Sequence, residues 1–376
     1  MRFSVDRAVL LSGLQRTYGV VPVRSTLPLL QNILLVASPG GIELTATDLE
    51  VSVRTTLPIL VDEAGALAVP ARLFYEVVRE LPEIPIDFRT EGLELVAQTP
   101  HGLYRFPGVP KEDFPDIAVT PPEEGVVFET EVLSRLLSKA SFAVSNDPLR
   151  LALTGVLLHF HDGLVEVVST DGKKLVRIQR RGIEHAYADA QAVLPTKAVN
   201  IYLRNADASP KTTVFLAQNH VILDLAGTVI YAKLIAAKYP NYAKVIPLTN
   251  EYEMKANRDE LAAAIRRVSV FASALGRAVQ FSFRSDQLAI TAQDIEYGGQ
   301  GYEVLPVEYR GRDLDVAYNG QFLLEILRHI DTERVVFRIQ DEQTGALIFP
   351  EQQREDEELL VLIMPIRLTE SGEGSA

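Results

Sequence analysis

The chain has no cysteine and no tryptophan, and only three methionines and six histidines in 376 residues. Without thiols there is no disulfide framework, no thiolate nucleophile and no thiolate metal site, a composition that suits a reducing compartment. No apolar run reaches the roughly 18 residues that would read as a membrane span. The opening MRFSVDRAVLLSG lacks the long apolar core and small-residue cleavage site of a signal peptide. A cytoplasmic setting is therefore the expectation. Positive charge is also short: 37 Lys and Arg against 50 Asp and Glu leave a net charge of −13. That balance at first sight disfavours nucleic acid as a partner. An acidic chain still binds DNA when its basic residues line one surface, so their placement decides the matter. With 47% hydrophobic and 23% charged residues the chain reads as globular.

What the sequence does contain is a repetition. Ile42-Glu43-Leu44-Thr45-Ala46-Thr47-Asp48 is echoed by Val165-Glu166-Val167-Val168-Ser169-Thr170-Asp171 and by Leu288-Ala289-Ile290-Thr291-Ala292-Gln293-Asp294, so that Asp48, Asp171 and Asp294 follow one another at 123 residues. Pro70, Pro195 and Asn319 each precede an apolar, helix-like run, at intervals of 125 and 124 residues. Phe114-Pro115-Asp116, Tyr239-Pro240-Asn241 and Met364-Pro365-Ile366 close the units at intervals of 125. Three diverged copies, each long enough for its own core, favour a scaffold over a single catalytic cleft. The apolar pattern lapses near Pro121-Pro122-Glu123-Glu124-Gly125 and near Leu248-Thr249-Asn250-Glu251, which gives modules 1–124, 125–250 and 251–368. Residues 369–376, TESGEGSA, are expected to form a disordered tail.

Each copy opens with a predicted strand (2–5, 126–130, 252–256) and an amphipathic helix (7–18, 132–142, 259–271). In the middle copy Leu133, Leu136, Leu137 and Ala140 recur at i, i+3, i+4 and i+7, the spacing that buries one stripe. A strand pair follows in every copy: 31–37 with 41–47, 155–160 with 164–170, and 278–283 with 287–292. Ser38-Pro39-Gly40-Gly41, Asp162-Gly163 and Ser285-Asp286 are the turn signals between them. Further strands, a second helix and a last hairpin complete an α+β unit with two helices on one face of an antiparallel sheet.

The second helices carry Arg72 and Arg79, Lys197 and Arg204, and Gln321 and Arg328, each pair seven apart and so on one helical face. The first helices add Arg7 and Arg16, Arg135 and Lys139, and Arg258, Arg266 and Arg267. Taken singly these are ordinary solvated charges beside carboxylates such as Glu76 and Glu80. Recurrence in three modules points instead to a basic lining that touches phosphates without reading bases.

Seven short motifs in order carry a family resemblance over residues 1–368: Arg24-Ser25-Thr26-Leu27-Pro28-Leu29-Leu30, Thr47-Asp48-Leu49-Glu50, Val69-Pro70-Ala71, Asp113-Phe114-Pro115, Ser169-Thr170-Asp171-Gly172, Tyr239-Pro240-Asn241-Tyr242 and Met364-Pro365-Ile366-Arg367-Leu368. The chain resembles the bacterial DNA polymerase III beta subunits, the sliding clamps of the replisome. The resemblance implies three clamp modules with sheets outside and helices inside, in a crescent that closes to a ring as a head-to-tail homodimer around duplex DNA. It implies a non-catalytic processivity factor whose partners are DNA, a second copy, the polymerase III alpha subunit, the clamp loader and other proteins bearing short peptide motifs. The implied peptide cleft draws on Leu153, Thr170, Gly172, Lys173, Lys174, Leu175, Pro240, Lys244 and Val245, with Asn319, Phe322, Leu362, Ile363, Met364, Pro365 and Ile366. Lys174 and Lys244 stand where the family often has arginine. Arg24 and Arg150 match loop positions toward DNA. The implied dimer joint pairs Tyr104, Arg105 and Phe106 with Val270, Phe271 and the strand from Glu296 to Glu303.

An enzyme is the rival from another class. The histidines at 101, 159, 161, 185, 220 and 329 show no helical ligand spacing, and His159 with His161 on a strand reads as a surface pair, so no metal, cofactor or catalytic residue is expected. Thr47-Asp48 and Thr170-Asp171 repeat at strand ends and read as turn residues rather than an acid/base pair. No glycine-rich phosphate loop leads from a strand into a helix. A protein-binding scaffold without DNA is the third reading, separated from a clamp by charge reversal on the helix faces.

Overall fold

The computed structural model describes residues 1–117, 120–273, 276–294 and 298–366. The proposed tail and Glu296 lie outside the described residues.

Six α-helices occur among these residues: α1 (Arg7–Tyr18), α2 (Ala71–Glu80), α3 (Thr130–Ala140), α4 (Thr196–Asn205), α5 (Arg258–Val268) and α6 (Gly320–Arg328). Pro70, Pro195 and Asn319 are the residues that cap α2, α4 and α6. Proline fixes an extended entry without donating, whereas the Asn319 side chain accepts from the Gln321 and Phe322 amides at 3.0 and 3.1 Å. On α3 the stripe Leu133, Leu136, Leu137 and Ala140 is fully buried. The α3 and α5 runs end in 3-10 turns, Ser141–Ala143 and Ser269–Phe271, so the α-helices stop before the predicted ends. The three predicted strand pairs form as antiparallel hairpins. Asp162 and Gly163 both take positive φ (46° and 70°), as a two-residue hairpin turn of this hand requires.

The chain divides into two compact units. The first comprises Met1–Leu137, Ile183–Ala186 and Ala192–Ala236, and the second Ser138–Gly182, Tyr187–Gln191 and Ala237–Ala376. The first unit contains a five-stranded sheet that ends on the strand Gly102–Pro107, and an eight-stranded sheet in which Val51–Leu57 pairs with Thr228–Lys233. Its aromatic core stacks Phe3 on Phe88 and sets Phe74 edge-on to Phe88 and Phe106. The second unit contains a four-stranded sheet that ends on Gly299–Pro306, and a nine-stranded sheet in which Lys174–Arg181 pairs with Glu357–Ile363. Its core gathers Phe281, Phe283, Tyr318 and Phe337. The large sheets therefore do not follow the sequence repeat: strands of neighbouring copies pair and satisfy edges that would otherwise stand open.

Candidate peptide cleft and nucleic-acid interface

A pocket of about 460 Å³ opens in the second unit where Lys174–Arg181 meets Glu357–Ile363. Leu153, Leu175, Val245, Leu362 and Met364 give it an apolar lining, and Thr170, Gly172, Lys173, Lys174 and Pro240 complete the residues read from the sequence that reach it. Its floor is a turn. The Thr170 hydroxyl donates to the Lys174 carbonyl at 2.7 Å, and Asp171 Oδ1 accepts from the Lys173 and Lys174 amides at 2.8 and 2.9 Å. Gly172 stands at φ 85°, left-handed backbone that a side chain would strain. Lys174 is 5% exposed, and its ammonium donates to Asp171 at 2.9 Å, lies 3.4 Å from Glu325 of α6 and sits 4.1 Å from the Phe322 ring centre. Its charge is consumed inside the wall.

Several expected cleft residues stand elsewhere. Ile363 is wholly buried in the sheet, Asn319 is spent as the α6 cap, and Phe322 serves as the surface under Lys174. Lys244, Pro365 and Ile366 do not line the pocket; Ile366 donates its amide to Ala317. The lining also includes Asn241, Tyr242, Pro247, Gln343, Thr344 and Gly345, which the sequence reading missed. Asn241 and Tyr242 continue the Tyr239-Pro240 motif and were within reach of it. The 343–345 stretch follows an Asp341 turn, whose carboxylate accepts from the Gln343 and Thr344 amides, and only the strand pairing brings it over Met364. Burial raises the Tyr242 phenol well above its ordinary value, and the hydrogen bond to Glu166 adds to the rise.

The basic residues fall into two groups. Arg24, Arg204, Arg266 and Arg328 are exposed and form no ion pair among the described residues. Arg266 and Arg328 share a depression on the α5 and α6 faces with Arg258 and Asp259. The second group is neutralised. Arg72 pairs with Glu76 at 2.9 Å, Arg79 with Glu80 at 3.0 Å, and Arg267 with Glu303 through two bonds of 2.6 Å. Two expectations need correction. Lys139 is buried and donates to the His329 carbonyl and Asp331, and Lys197 donates to the Val20 carbonyl at 3.0 Å and to Asp48. Lys139 turns into the protein, whereas Lys197 keeps 40% of its side chain exposed but is tied to Asp48, a partner that its seven-residue spacing from Arg204 cannot reveal. Arg135 is half-buried, and Arg150 lies against the Asp171 carbonyl beside the cleft turn. Arg150 is thus a rim residue of the pocket.

Of the expected joint, Tyr104 is half-buried, and Arg105, Val270 and Phe271 are exposed. Phe106 is a correction: it is 1% exposed and packs edge-on to Phe74 with ring centres 5.1 Å apart. Alternation along Gly102–Pro107 sends Leu103 and Arg105 outward in its place. Arg105 is tied to Glu91 at 2.7 Å and Glu94 at 2.9 Å. Glu303 is held by Arg267, and Tyr302 and Val304 are exposed on the same strand.

The chain matches the DNA polymerase III beta subunit along its length: the N-terminal domain over residues 1–118, the central domain over 127–241 and the C-terminal domain over 243–367. It is 30% identical to the beta sliding clamp of Chlamydia muridarum over 369 residues, covering 98% of this chain and 99% of that one. The chain belongs to the DNA polymerase III beta subunit family. Its function is that of a DNA sliding clamp, the processivity factor of DNA polymerase III, and its fold is three clamp domains of mixed helix and sheet. The Pseudomonas aeruginosa sliding clamp bound to griselimycin superimposes with a TM-score of 0.92 at 30% identity, over 98% of this chain and all of that one. The Bartonella birtlesii clamp, also bound to griselimycin, gives 0.93 at 28% identity and the same coverage. No helix among the described residues is long and apolar enough to cross a membrane.

Proposed function

We propose that this clamp is non-catalytic and cytoplasmic, and that it closes head to tail with a second copy into a ring that holds duplex DNA by topology and docks partner peptides in the 460 Å³ pocket. The observation that carries the docking role is the pocket's apolar lining beside a satisfied turn: a Leu or Phe anchor finds aliphatic walls, and the buried Lys174 asks for no counter-charge. Burying such an anchor contributes about 1.5–3 kcal/mol, or roughly tenfold to hundredfold in affinity. The occupants are the polymerase III alpha subunit, the clamp loader and other proteins with short apolar motifs. Met364 and Val245 are exposed lining residues, so Met364→Ala with Val245→Ala weakens a fluorescent polymerase-derived peptide by at least tenfold while the fold persists; unchanged affinity would sink the assignment.

Retention on DNA rests on Arg24, Arg204, Arg266 and Arg328, with Arg72, Arg79 and Arg267 contributing through pairs that phosphate can displace. Arg79, Arg204 and Arg328 all occupy the last turn of α2, α4 or α6. Changing the three to Glu lowers clamp-loader-dependent retention on nicked circles while the dimer mass persists. The joint uses the open edges Gly102–Pro107 and Gly299–Pro306, one from each copy, with Leu103, Val270, Phe271, Tyr302 and Val304 as apolar contacts. A solution mass near twice 41.6 kDa is expected, and a strict monomer at micromolar concentration overturns the ring. The domain limits that accompany this reading are 1–124, 125–250 and 251–368.

A further inference from the structure

The sequence reads His159 and His161 as a surface pair, and the structure corrects this. Alternation on the strand Gly155–His161 puts both rings on one face, with centroids 4.2 Å apart, and His159 is largely buried. Glu166, also buried, is the direct cross-strand partner of His159. The Glu166 Oε2 atom lies 3.1 Å from His161 Nε2 and 3.8 Å from His159 Nδ1. Tyr242 brings its hydroxyl to the same point, 2.9 Å from His159 Nδ1 and hydrogen-bonded to Glu166.

With both rings neutral, the proton inventory there does not balance. The outer nitrogen of each ring faces a carboxylate: His159 Nε2 is 2.9 Å from Asp189 Oδ1, and His161 Nδ1 is 3.4 Å from Asp162 Oδ2. Neutral rings that donate outward keep their lone pairs on His159 Nδ1 and His161 Nε2, both aimed inward. These two lone pairs and the Glu166 oxygen converge on a space to which, among the described residues, only the Tyr242 hydroxyl brings a proton. His161 Nε2 is accordingly buried with no hydrogen-bond partner among the described residues. No lysine or arginine pairs with Glu166 among the described residues.

We propose that His159 Nδ1, His161 Nε2 and the Glu166 carboxylate form a Zn²⁺ site, with the Tyr242 hydroxyl or a water as fourth ligand. The donor atoms of the three residues already lie within 4.8 Å of one another. Bonds of about 2.0–2.1 Å in a tetrahedron hold ligands roughly 3.3 Å apart, between the two observed separations. Carboxylates behind the outer ring nitrogens are the arrangement that orients metal-bound imidazoles. Two imidazoles and a carboxylate suit zinc better than calcium or magnesium, which take oxygen ligands. Since Tyr242 also lines the pocket, the ion would clip the hairpin to the segment that forms one pocket wall.

The test is Zn²⁺ titration of the full chain after stripping with chelator, followed by calorimetry, with Co²⁺ absorption reporting the coordination geometry. One ion per chain, a tetrahedral Co²⁺ spectrum and a rise in melting temperature are expected. His161→Gln and Glu166→Gln each weaken binding by more than about 100-fold, while Asp189→Asn, which alters an exposed orienting carboxylate, weakens it by about tenfold. His185→Gln and His220→Gln leave it unchanged. Absence of Zn²⁺ binding at tens of micromolar, or parent-like affinity in His161→Gln, overturns the site. If the ligand variants fail to fold, parent-like affinity in Asp189→Asn does so instead.

Discussion

Two turns, one in each unit, share almost every hydrogen bond and part company at the left-handed position. In the first unit Thr47 Oγ1 accepts from the Leu49 amide at 3.0 Å, and Asp48 Oδ1 accepts from the amides of Glu50 and Val51 at 3.0 and 2.7 Å. In the second, Thr170 Oγ1 accepts from the Gly172 amide at 3.0 Å, and Asp171 Oδ1 accepts from the two amides that follow. Each turn also offers a carbonyl to the neighbouring copy's strand: Glu50 receives the Lys233 amide and Lys173 the Met364 amide, both at 2.8 Å. The left-handed position is Leu49 at φ 75° in one and Gly172 at φ 85° in the other. Glycine leaves open ground beside the pocket, where an added Cβ would meet only the mobile end of Arg150 at 2.9 Å. A reused backbone frame becomes the floor of a pocket once its side chain is removed.

The same turns divide again over their lysines, and here the largest effect is expected. Asp171 is held by Lys174, buried in the wall, whereas Asp48 is held by Lys197, whose side chain is 40% exposed. Removing one partner of a buried pair leaves a stranded charge and costs roughly 3 kcal/mol, while a half-exposed pair is worth about 1 kcal/mol. Lys174→Met should therefore destabilise the second unit about three times as much as Lys197→Met destabilises the first, measured by hydrogen exchange of each unit in urea. Equal costs would mean that the two lysines are equivalent.

Exchanging the left-handed residues sharpens the comparison at the next level. Gly172→Leu pays about 1–2 kcal/mol of backbone strain and narrows the pocket, so a bound peptide should lose at least tenfold in affinity. Leu49→Gly relieves strain in the first unit and should change its stability by no more than about 1 kcal/mol, with peptide affinity untouched. Peptide titration of both variants checks the pair, and a Gly172→Leu clamp that binds normally would remove the turn from the docking surface.

The repeat made much of this legible in advance. Offsets of 123 to 125 residues located the helix caps at Pro70, Pro195 and Asn319 and the hairpins, because caps and turns are local chemistry. The pairing of Val51–Leu57 with Thr228–Lys233 was not legible, since nothing local in either strand names its neighbour. The misses at the sites have the same root. Phe106 and Ile363 were carried into contact surfaces by the family pattern, although strand alternation turns them inward. Lys197 is read from its helical spacing and Lys139 from the recurrence of basic residues on the first helices, and their partners Asp48 and Asp331 lie far away in sequence. His159 and His161 read as a surface pair until Tyr242 and Asp189 arrived from other segments.

The smallest expected effect concerns the residues that follow Arg204 and Arg328. Asn205 and His329 make the same bond, each donating to the carbonyl four residues back: Asn205 to Ile201 at 2.9 Å, His329 to Glu325 at 2.8 Å. The amide does not titrate, but the imidazole does. Burial lowers the His329 pKa, the Glu325 carbonyl opposes that, and the charges of Lys139 and Arg328 lower it further. A stacked Phe142 ring 4.0 Å away covers one face. With a folded pKa below the unfolded value of about 6.5, the unfolded chain binds the proton first as pH falls. The stability from a neutral His329 is thus whole above about pH 6.5 and is lost as pH drops through the folded pKa, with a slope of at most about 1.4 kcal/mol per pH unit. His161 acts in the opposite sense: burial lowers its pKa, but the Glu166 and Asp162 carboxylates that face its two ring nitrogens outweigh that and raise it. The informative quantity is therefore the difference between the parent and His329→Asn, which copies the first unit's solution. That difference should shrink from pH 7 to pH 5 in hydrogen exchange of the second unit and stay flat in the first, and a pH-independent difference would show that His329 keeps its ordinary pKa when folded.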